Sequence, residues 1–172
     1  MEDNDRFAYM SVELWQGHIN YAFDFGSGQR VLRDKLTIAL SDDQWHGVSV
    51  LRPVDNQHIL RVDDKISLYD EPRSSGKGRL EMVEGLYIGG VPGYMYGSLP
   101  EKVRSSDGFQ GCLSSIDLNG DSWNMLDKDL VDIREEHEDE IKDGCQGTVY
   151  LAIMRCTPPL RPSQNKLREF SI

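Results

Sequence analysis

The sequence predicts an all-β protein built as a sandwich of two antiparallel sheets. Apolar and polar residues alternate in short runs between Met10 and Leu118, which is the two-residue period of strands with one buried face. Turn-forming residues separate these runs at intervals of roughly ten residues, as in sandwich folds. No sustained apolar stripe of helical period indicates a major helix.

The first predicted element is a β-hairpin. Met10, Val12 and Leu14 alternate with more polar neighbours. Gln16-Gly17 supplies a tight turn, and a second alternating run covers 19–25. This pattern predicts two paired strands with one buried face and one wet face.

Further strands are predicted along the chain, with turn residues between them. They lie at 31–40, 46–51, 58–62, 65–69, 86–89 and 111–118. Asn119-Gly120 follows the last of them and is the strongest short-range hairpin signal. Acidic residues cluster within 130–142, where we predict a charged surface loop or a short helical turn.

Length and charge limit the classes of protein. The 172 residues favour one domain, which we place at 7–147. The net charge of -10 repels phosphate backbones, so nucleic acid is excluded as a partner. Residues 1–6 are polar and predicted to be disordered, without the features of a signal peptide. Residues 148–172 form a proline-containing tail, also predicted to be disordered, whose apolar run is too short for membrane insertion.

The residues with side chains that often act in catalysis do not occur at the spacings of known active-site motifs, so we predict that the chain is not an enzyme. The four histidines are scattered without the spacing of zinc ligands. A glycine-rich stretch at 89–93 lacks the Lys-Ser/Thr of a phosphate-binding loop. A glycoside hydrolase, the enzymatic alternative, requires two carboxylates facing each other, and Glu13 with Asp117 is the pair to consider.

Trp45 and His46 have a structural interpretation that we prefer to a ligand pocket. Trp45 is predicted to fill the core between the sheets, and His46 to form hydrogen bonds at the edge of that core.

The three cysteines lack the Cys-x-x-Cys spacing of zinc sites. Cys112 lies at the start of the strand predicted at 111–118, and Cys145 lies between glycines. Two cysteines so placed suggest an extracellular β-domain closed by one bridge, with one cysteine left over.

Four blocks in this order resemble the laminin G-like (LNS) domain family. They are 12–28; 41–50 with its Trp45-His46 pair; 85–91, which reads Gly-Leu-Tyr-Ile-Gly-Gly-Val; and 108–120 followed by Cys145. Within the family, the match is most similar to the neurexin group and there to the fifth LNS domain. The resemblance covers roughly 7–147 and implies a jelly-roll β-sandwich with a Cys112–Cys145 disulfide, leaving Cys156 free or intermolecular.

The resemblance also implies a function without catalysis. Such domains act in extracellular cell adhesion or receptor binding, so a cell-surface or matrix protein is the expected partner. Tyr94, Met95 and Tyr96 are the candidate binding loop, because aromatic side chains on loops often anchor interfaces. A lectin-like module that binds a neutral glycan is the alternative.

Calcium is the cofactor that the resemblance implies. The implied ligands are the side chain of Glu81 and the backbone carbonyls of Phe25 and Arg79. The family's second acidic ligand falls at Ala8, and its loss is expected to weaken binding because calcium affinity follows ligand charge. The family's first strands have no counterpart in the sequence, which predicts an exposed sheet edge.

Overall fold

The computed structural model describes residues 8–42, 44–54, 56–70, 86–111, 113, 115–123, 131–132, 152–154 and 170–171. The strands are β1 Tyr9–Trp15, β2 His18–Asp24, β3 Arg30–Arg33, β4 Gly47–Leu51, β5 Gln57–Val62, β6 Lys65–Asp70, β7 Leu86–Ile88, β8 Ile116–Leu118, β9 Asp121–Trp123, β10 Val131–Asp132, β11 Ala152–Met154 and β12 Phe170–Ser171. They form sheets ordered β1-β2-β3, β12-β4-β5-β6, β10-β11-β7 and β8-β9, and every pairing is antiparallel. The only helix in the described part is a 3-10 helix at Gly93–Ser98. The predicted all-β fold is confirmed.

The first hairpin forms as its residues predict. Gln16 and Gly17 both adopt positive φ, at 52° and 75°, which gives a turn whose twist matches that of paired strands. Trp15 is therefore paired with His18. A Cβ on Gly17 would lie 2.5 Å from the Cβ of Ala39, so this turn also requires glycine for close packing.

The core lies between the β1-β2-β3 sheet and the sheet containing β4, β5 and β6. Tyr21 and Phe23 of β2 contribute large side chains from one side, and Val50 and Leu60 contribute from the other; all four are 0% exposed. The Tyr21 hydroxyl lies 3.0 Å from Nδ1 of His58, which connects the two sheets by a hydrogen bond. Burial of these apolar surfaces is the main stabilising term of the sandwich.

The two sheets also meet along one side, at β3 and β6. Ser67 Oγ donates a hydrogen bond of 2.8 Å to the carbonyl of Arg33. Arg30 Nε donates to the Tyr69 hydroxyl at 2.9 Å. These contacts satisfy polar groups at strand edges that would otherwise need water.

Two predicted strands are shorter than expected. The strand predicted at 31–40 ends at Arg33, because the Asp34 carboxylate accepts hydrogen bonds from the backbone of Ile19 and Leu36 and turns the chain. The strand predicted at 111–118 covers only Ile116–Leu118. Ser115 precedes it with a φ of 57°, which is incompatible with an extended strand. The other predicted strands agree with the structure to within one residue at each end.

The prediction that Trp45 fills the core is wrong. Trp45 is 57% exposed, and the space between the sheets is filled by Tyr21, Phe23 and His58. Phe23 stacks on both of the other rings. Trp45 belongs to an irregular segment before β4. The segment is held by its neighbour His46, so Trp45 is directed toward solvent.

Segments near the end of the chain form strands that the sequence did not lead us to expect. Val131–Asp132, within the predicted charged loop or helical turn, is strand β10, and the rest of 130–142 lies outside the described residues. In the tail predicted to be disordered, β11 pairs with β7 and β10, and β12 pairs with β4. Pairing with distant strands supplies order that local composition does not indicate.

Candidate recognition surface

The predicted binding loop is a short 3-10 helix with an exposed aromatic side chain. The helix spans Gly93–Ser98 and contains no buried residue. Tyr94 is 77% exposed, and Met95 and Tyr96 are partly buried. The Met95 amide donates to the Pro92 carbonyl at 2.8 Å, and Ser98 Oγ donates to the Met95 carbonyl at 2.9 Å. The backbone that carries Tyr94 is therefore held by its own hydrogen bonds.

The chain that follows this helix crosses the outer face of the β1-β2-β3 sheet. We call residues 99–109 the crossing segment. The amides of Arg104 and Ser105 donate to the Glu13 carboxylate at 2.9 and 2.7 Å, and the Lys102 amide donates to Oε1 of Gln29 at 3.2 Å. The Phe109 amide donates to the Gly89 carbonyl. These bonds attach the segment in its middle and at its C-terminal end.

Sequence reasoning considered Glu13 only as a catalytic carboxylate and missed its role in holding the crossing segment. Glu13 is 7% exposed although alternation places it on the polar face of β1. The same face carries Tyr9, whose pKa is raised to about 12 by burial and by the charges of Asp24 and Glu13. No local signal in the sequence indicates this role, because the amides bound by Glu13 lie 91 and 92 residues away.

The carboxylates considered for glycoside hydrolysis have structural roles. Glu13 accepts the two amides of the crossing segment. Asp117 accepts a hydrogen bond of 2.8 Å from the amide of Gly120, which closes the turn between β8 and β9. Both carboxylates are therefore bound by backbone amides of the chain itself.

Of the positions that correspond to the implied calcium site, Ala8 and Phe25 lie within the described residues. These two residues can offer only backbone oxygens. Ala8 has no side-chain ligand, and the ring of Phe25 is covered by the guanidinium of Arg52 at 3.7 Å. The nearby Asp24 is not a solvated loop acid, since it is 6% exposed and accepts hydrogen bonds from the amides of Gly26 and Gly28. Arg79 and Glu81 lie outside the described residues. Within the described ranges, no group of three or more His, Cys, Asp or Glu residues is arranged to hold a metal.

His46 forms the predicted hydrogen bonds at the edge of the sandwich. Its Nε2 lies 2.9 Å from Asp42, and its Nδ1 lies 2.9 Å from Asp63. Partial burial by itself lowers the pKa of His46, but the hydrogen bonds to the two carboxylates outweigh it, so the pKa is raised. Both ring nitrogens of His46 are therefore engaged by carboxylates within the fold.

Cys112 and Cys145 lie outside the described residues, so their pairing stays a prediction. Where the structure is described, no helix has the length and apolar character needed to cross a bilayer.

The family model of the laminin G domain matches residues 2–121, so the chain belongs to the laminin G domain family. The chain is 40% identical over 139 residues to Neurexin 1 of Drosophila melanogaster, which covers 81% of the chain and 7% of that protein. It is 36% identical over the same length to Neurexin-2 of Mus musculus and of Homo sapiens, covering 81% of the chain and 8% of each relative.

These findings confirm the laminin G and neurexin resemblance. The chain spans less than a tenth of the length of these relatives. The assignment to the fifth LNS domain stays a prediction.

Proposed function

We propose that the chain is a non-enzymatic extracellular recognition module that binds a cell-surface or matrix protein through the 3-10 helix Gly93–Ser98. The observation that carries this proposal is the exposure of Tyr94, which is 77%, on a helix without buried residues. Tyrosine is enriched at the centres of protein interfaces, because it buries a large ring and retains a polar hydroxyl.

The arrangement around the helix favours binding without a large loss of entropy. Backbone hydrogen bonds of Met95 and Leu99 hold the helix at its two ends. The crossing segment then attaches the following residues to Glu13. A loop that is already ordered in the free protein loses less conformational freedom when it binds.

The proposed absence of catalysis is supported by how the buried carboxylates are used. Glu13, Asp24 and Asp34 each accept backbone N–H groups. His58 is fully buried in the core. These titratable groups therefore stabilise the fold instead of facing a substrate.

Calcium is part of this proposal as a modulating ion. Glu81 would supply the carboxylate ligand, and Phe25 and Arg79 would supply carbonyl oxygens, which suit a hard cation. With alanine at position 8, the site has one acidic ligand fewer than its relatives' pattern, so we expect weak binding.

The recognition surface is tested on arrays of purified cell-surface and matrix ectodomains, with a glycan array in parallel. Tyr94→Ser is expected to weaken binding to a protein hit at least about tenfold, as for an interface hot spot. Leu68→Ser is the matched control, since Leu68 is 52% exposed on β6. Equal effects of the two substitutions would contradict the proposal. Binding to neutral glycans alone would favour the lectin-like alternative.

The calcium site is tested by thermal melting with and without millimolar calcium. A ligand that binds only the folded state raises the melting temperature. We expect a small increase that Glu81→Gln removes and Glu84→Gln leaves intact, and a larger increase in Ala8→Asp. If calcium changes the melting temperature of none of these chains, the proposed calcium site is refuted. The proposed protein-binding role is decided separately, by the effect of Tyr94→Ser on binding.

A further inference from the structure

His46 lies between two carboxylates that belong to different parts of the fold. Its Nε2 lies 2.9 Å from Oδ1 of Asp42, in the irregular segment before β4, and its Nδ1 lies 2.9 Å from Oδ2 of Asp63, in the turn between β5 and β6. A neutral imidazole carries one N–H and one lone pair, whereas the protonated ring carries two N–H groups. Both contacts are therefore hydrogen bonds only when His46 is protonated.

Loss of the proton breaks one of these contacts, because a lone pair of the ring would then face a carboxylate oxygen. Asp63 is held independently of the ring. Its Oδ1 accepts the Gly47 amide at 2.9 Å, and its own amide donates to the Gly47 carbonyl at 2.8 Å. The neutral ring therefore keeps its N–H on Nδ1, toward Asp63, and the contact with Asp42 is lost.

The contact with Asp42 attaches the residues before β4 to the sandwich. We call residues 41–46 the Trp45 segment. Leu40, the residue before it, is fixed to the first hairpin by an amide hydrogen bond of 2.7 Å. Among the described residues of the Trp45 segment, no hydrogen bond other than those of His46 reaches the rest of the fold. Loss of the Asp42 contact therefore leaves the segment attached only at its two ends.

The other charged groups near His46 do not take over this role. Asp64 and Lys65, at the same turn as Asp63, pair with each other at 3.1 Å. Arg61 of β5 donates to a serine of β4, farther along the sheet. The two described residues of β12, which pair with the start of β4, carry no charge. Asp43 lies outside the described residues.

The electrostatic environment sets the direction of the titration. Partial burial lowers the pKa of His46, but the hydrogen bonds to Asp42 and Asp63 outweigh it, so the pKa is raised above the ordinary value of 6.5. The contact with Asp42 is therefore present at acidic pH and is lost as the pH rises above that value.

We propose that His46 is a pH-sensitive switch that orders the Trp45 segment when the imidazole is protonated and releases it when the imidazole is neutral. Trp45 is 57% exposed, so the switch controls how a large apolar side chain is presented on the surface. A side chain that is already ordered loses less conformational freedom when a partner covers it. The switch is separate from the Gly93–Ser98 helix and does not depend on the proposed role of that helix.

The test is nitrogen-15 relaxation of the labelled full chain at two pH values, about 5.5 and about 8, that bracket the usual titration of histidine. The backbone order parameters of Gln44 and Trp45 are expected to fall from about 0.85 toward about 0.6 at the higher pH. The midpoint of this change should coincide with the titration of the His46 ring resonances. Gly47 should stay rigid at both pH values, because its bond to Asp63 does not require the proton.

Asp42→Asn separates the switch from a general effect of pH. The side-chain amide can accept from the protonated ring or donate to the neutral ring, so the contact survives and the Trp45 segment stays rigid at both pH values. Asp64→Asn is the matched control, since Asp64 lies at the same turn as Asp63 but pairs with Lys65. This variant should keep the pH response of the parent chain.

Three results would overturn the proposal. The first is equal mobility of the Trp45 segment at both pH values in the parent chain. The second is a midpoint that differs from that of the His46 ring, and the third is a pH response that Asp42→Asn retains or that Asp64→Asn abolishes. Melting curves at both pH values confirm that each variant is folded, so a change in mobility is assigned to the segment and not to global unfolding.

Discussion

His58 lies at the centre of the sandwich and is 0% exposed. Its ring stacks on Phe23 with centroids 3.9 Å apart, and its Nδ1 lies 3.0 Å from the Tyr21 hydroxyl. Burial and the nearby charge of Arg52 lower the pKa of His58 to about 4. The folded protein therefore contains a neutral imidazole at a position where a charge would be costly.

The first prediction concerns the pH dependence of stability. His58 binds a proton less well in the folded state than in the unfolded state. The contribution of neutral His58 to the free energy of unfolding is therefore complete above pH 6.5 and falls as the pH decreases toward 4. The loss is about 3 kcal/mol by pH 4. His58→Gln should reduce this acid sensitivity, as measured by urea unfolding between pH 4 and 7.

His46 provides the control, because its pKa is shifted in the opposite direction. Its hydrogen bonds to Asp42 and Asp63 stabilise the charged form. The stability that these hydrogen bonds contribute is fully present below the pKa of His46 in the unfolded state, about 6.5. It is lost as the pH rises through the pKa of His46 in the folded state. His46→Gln should therefore change the alkaline side of the profile, and on the acid side it should act only through Asp42, whose pKa is lowered by the hydrogen bond with His46. Identical acid profiles for His58→Gln and the parent chain would contradict the assignment.

Among the structural elements, the crossing segment depends most on one side chain. Glu13 is buried and accepts amides from Arg104 and Ser105, while the strand that carries it pairs with only β2 among the described strands. Without this carboxylate, two amides of the segment lose their acceptor. An unsatisfied buried donor is more costly than the hydrogen bond itself.

The second prediction is that Glu13→Ala destabilises the protein by about 2–3 kcal/mol, since its hydrogen bonds involve a charged acceptor. Hydrogen exchange at the amides of Arg104 and Ser105 should become faster. Ser11→Ala is the control, because Ser11 points to the same face of β1 by alternation. If both variants keep the exchange rates of the parent chain, the attachment through Glu13 does not hold the segment.

At the scale of the whole molecule, the predicted disulfide joins parts of the chain that are far apart in sequence. Cys112 precedes β8, and Cys145 precedes β11. A bridge between them closes a loop of roughly thirty residues, which stabilises by about 3 kcal/mol in the chain-entropy model. This is a substantial fraction of the stability of a small domain.

The third prediction separates Cys112 from Cys156. Cys112→Ser should lower the melting temperature of the oxidised chain and promote aggregation, whereas Cys156→Ser should change neither. Thiol titration of the unfolded chain provides a direct count, with one free thiol expected in the parent and none in Cys156→Ser. Equal melting behaviour of the two variants, or three free thiols in the parent, would refute the pairing.

Local chemistry explains which elements were predictable. The hairpin of β1 and β2 depends on alternation and on the turn Gln16-Gly17, so neighbouring residues contain all the information. β3 was predicted too long because its end depends on the Asp34 carboxylate, which binds the amide of Ile19 across the sheet. The aromatic residues singled out in the sequence lie on the 3-10 helix Gly93–Ser98, and their role in binding stays a prediction. The attachment of the crossing segment to Glu13 could not be predicted.

The sequence by itself determined the all-β class, the laminin G family and the two tight hairpins. These properties depend on residue order over short distances and on motifs of fixed spacing. Only the tertiary structure decided that Trp45 is exposed, that Glu13 is buried and that Glu13 binds the amides of Arg104 and Ser105. The reason is physical: burial and charge neutralisation depend on partners up to 92 residues away, and competition among large side chains for the core has no local signature.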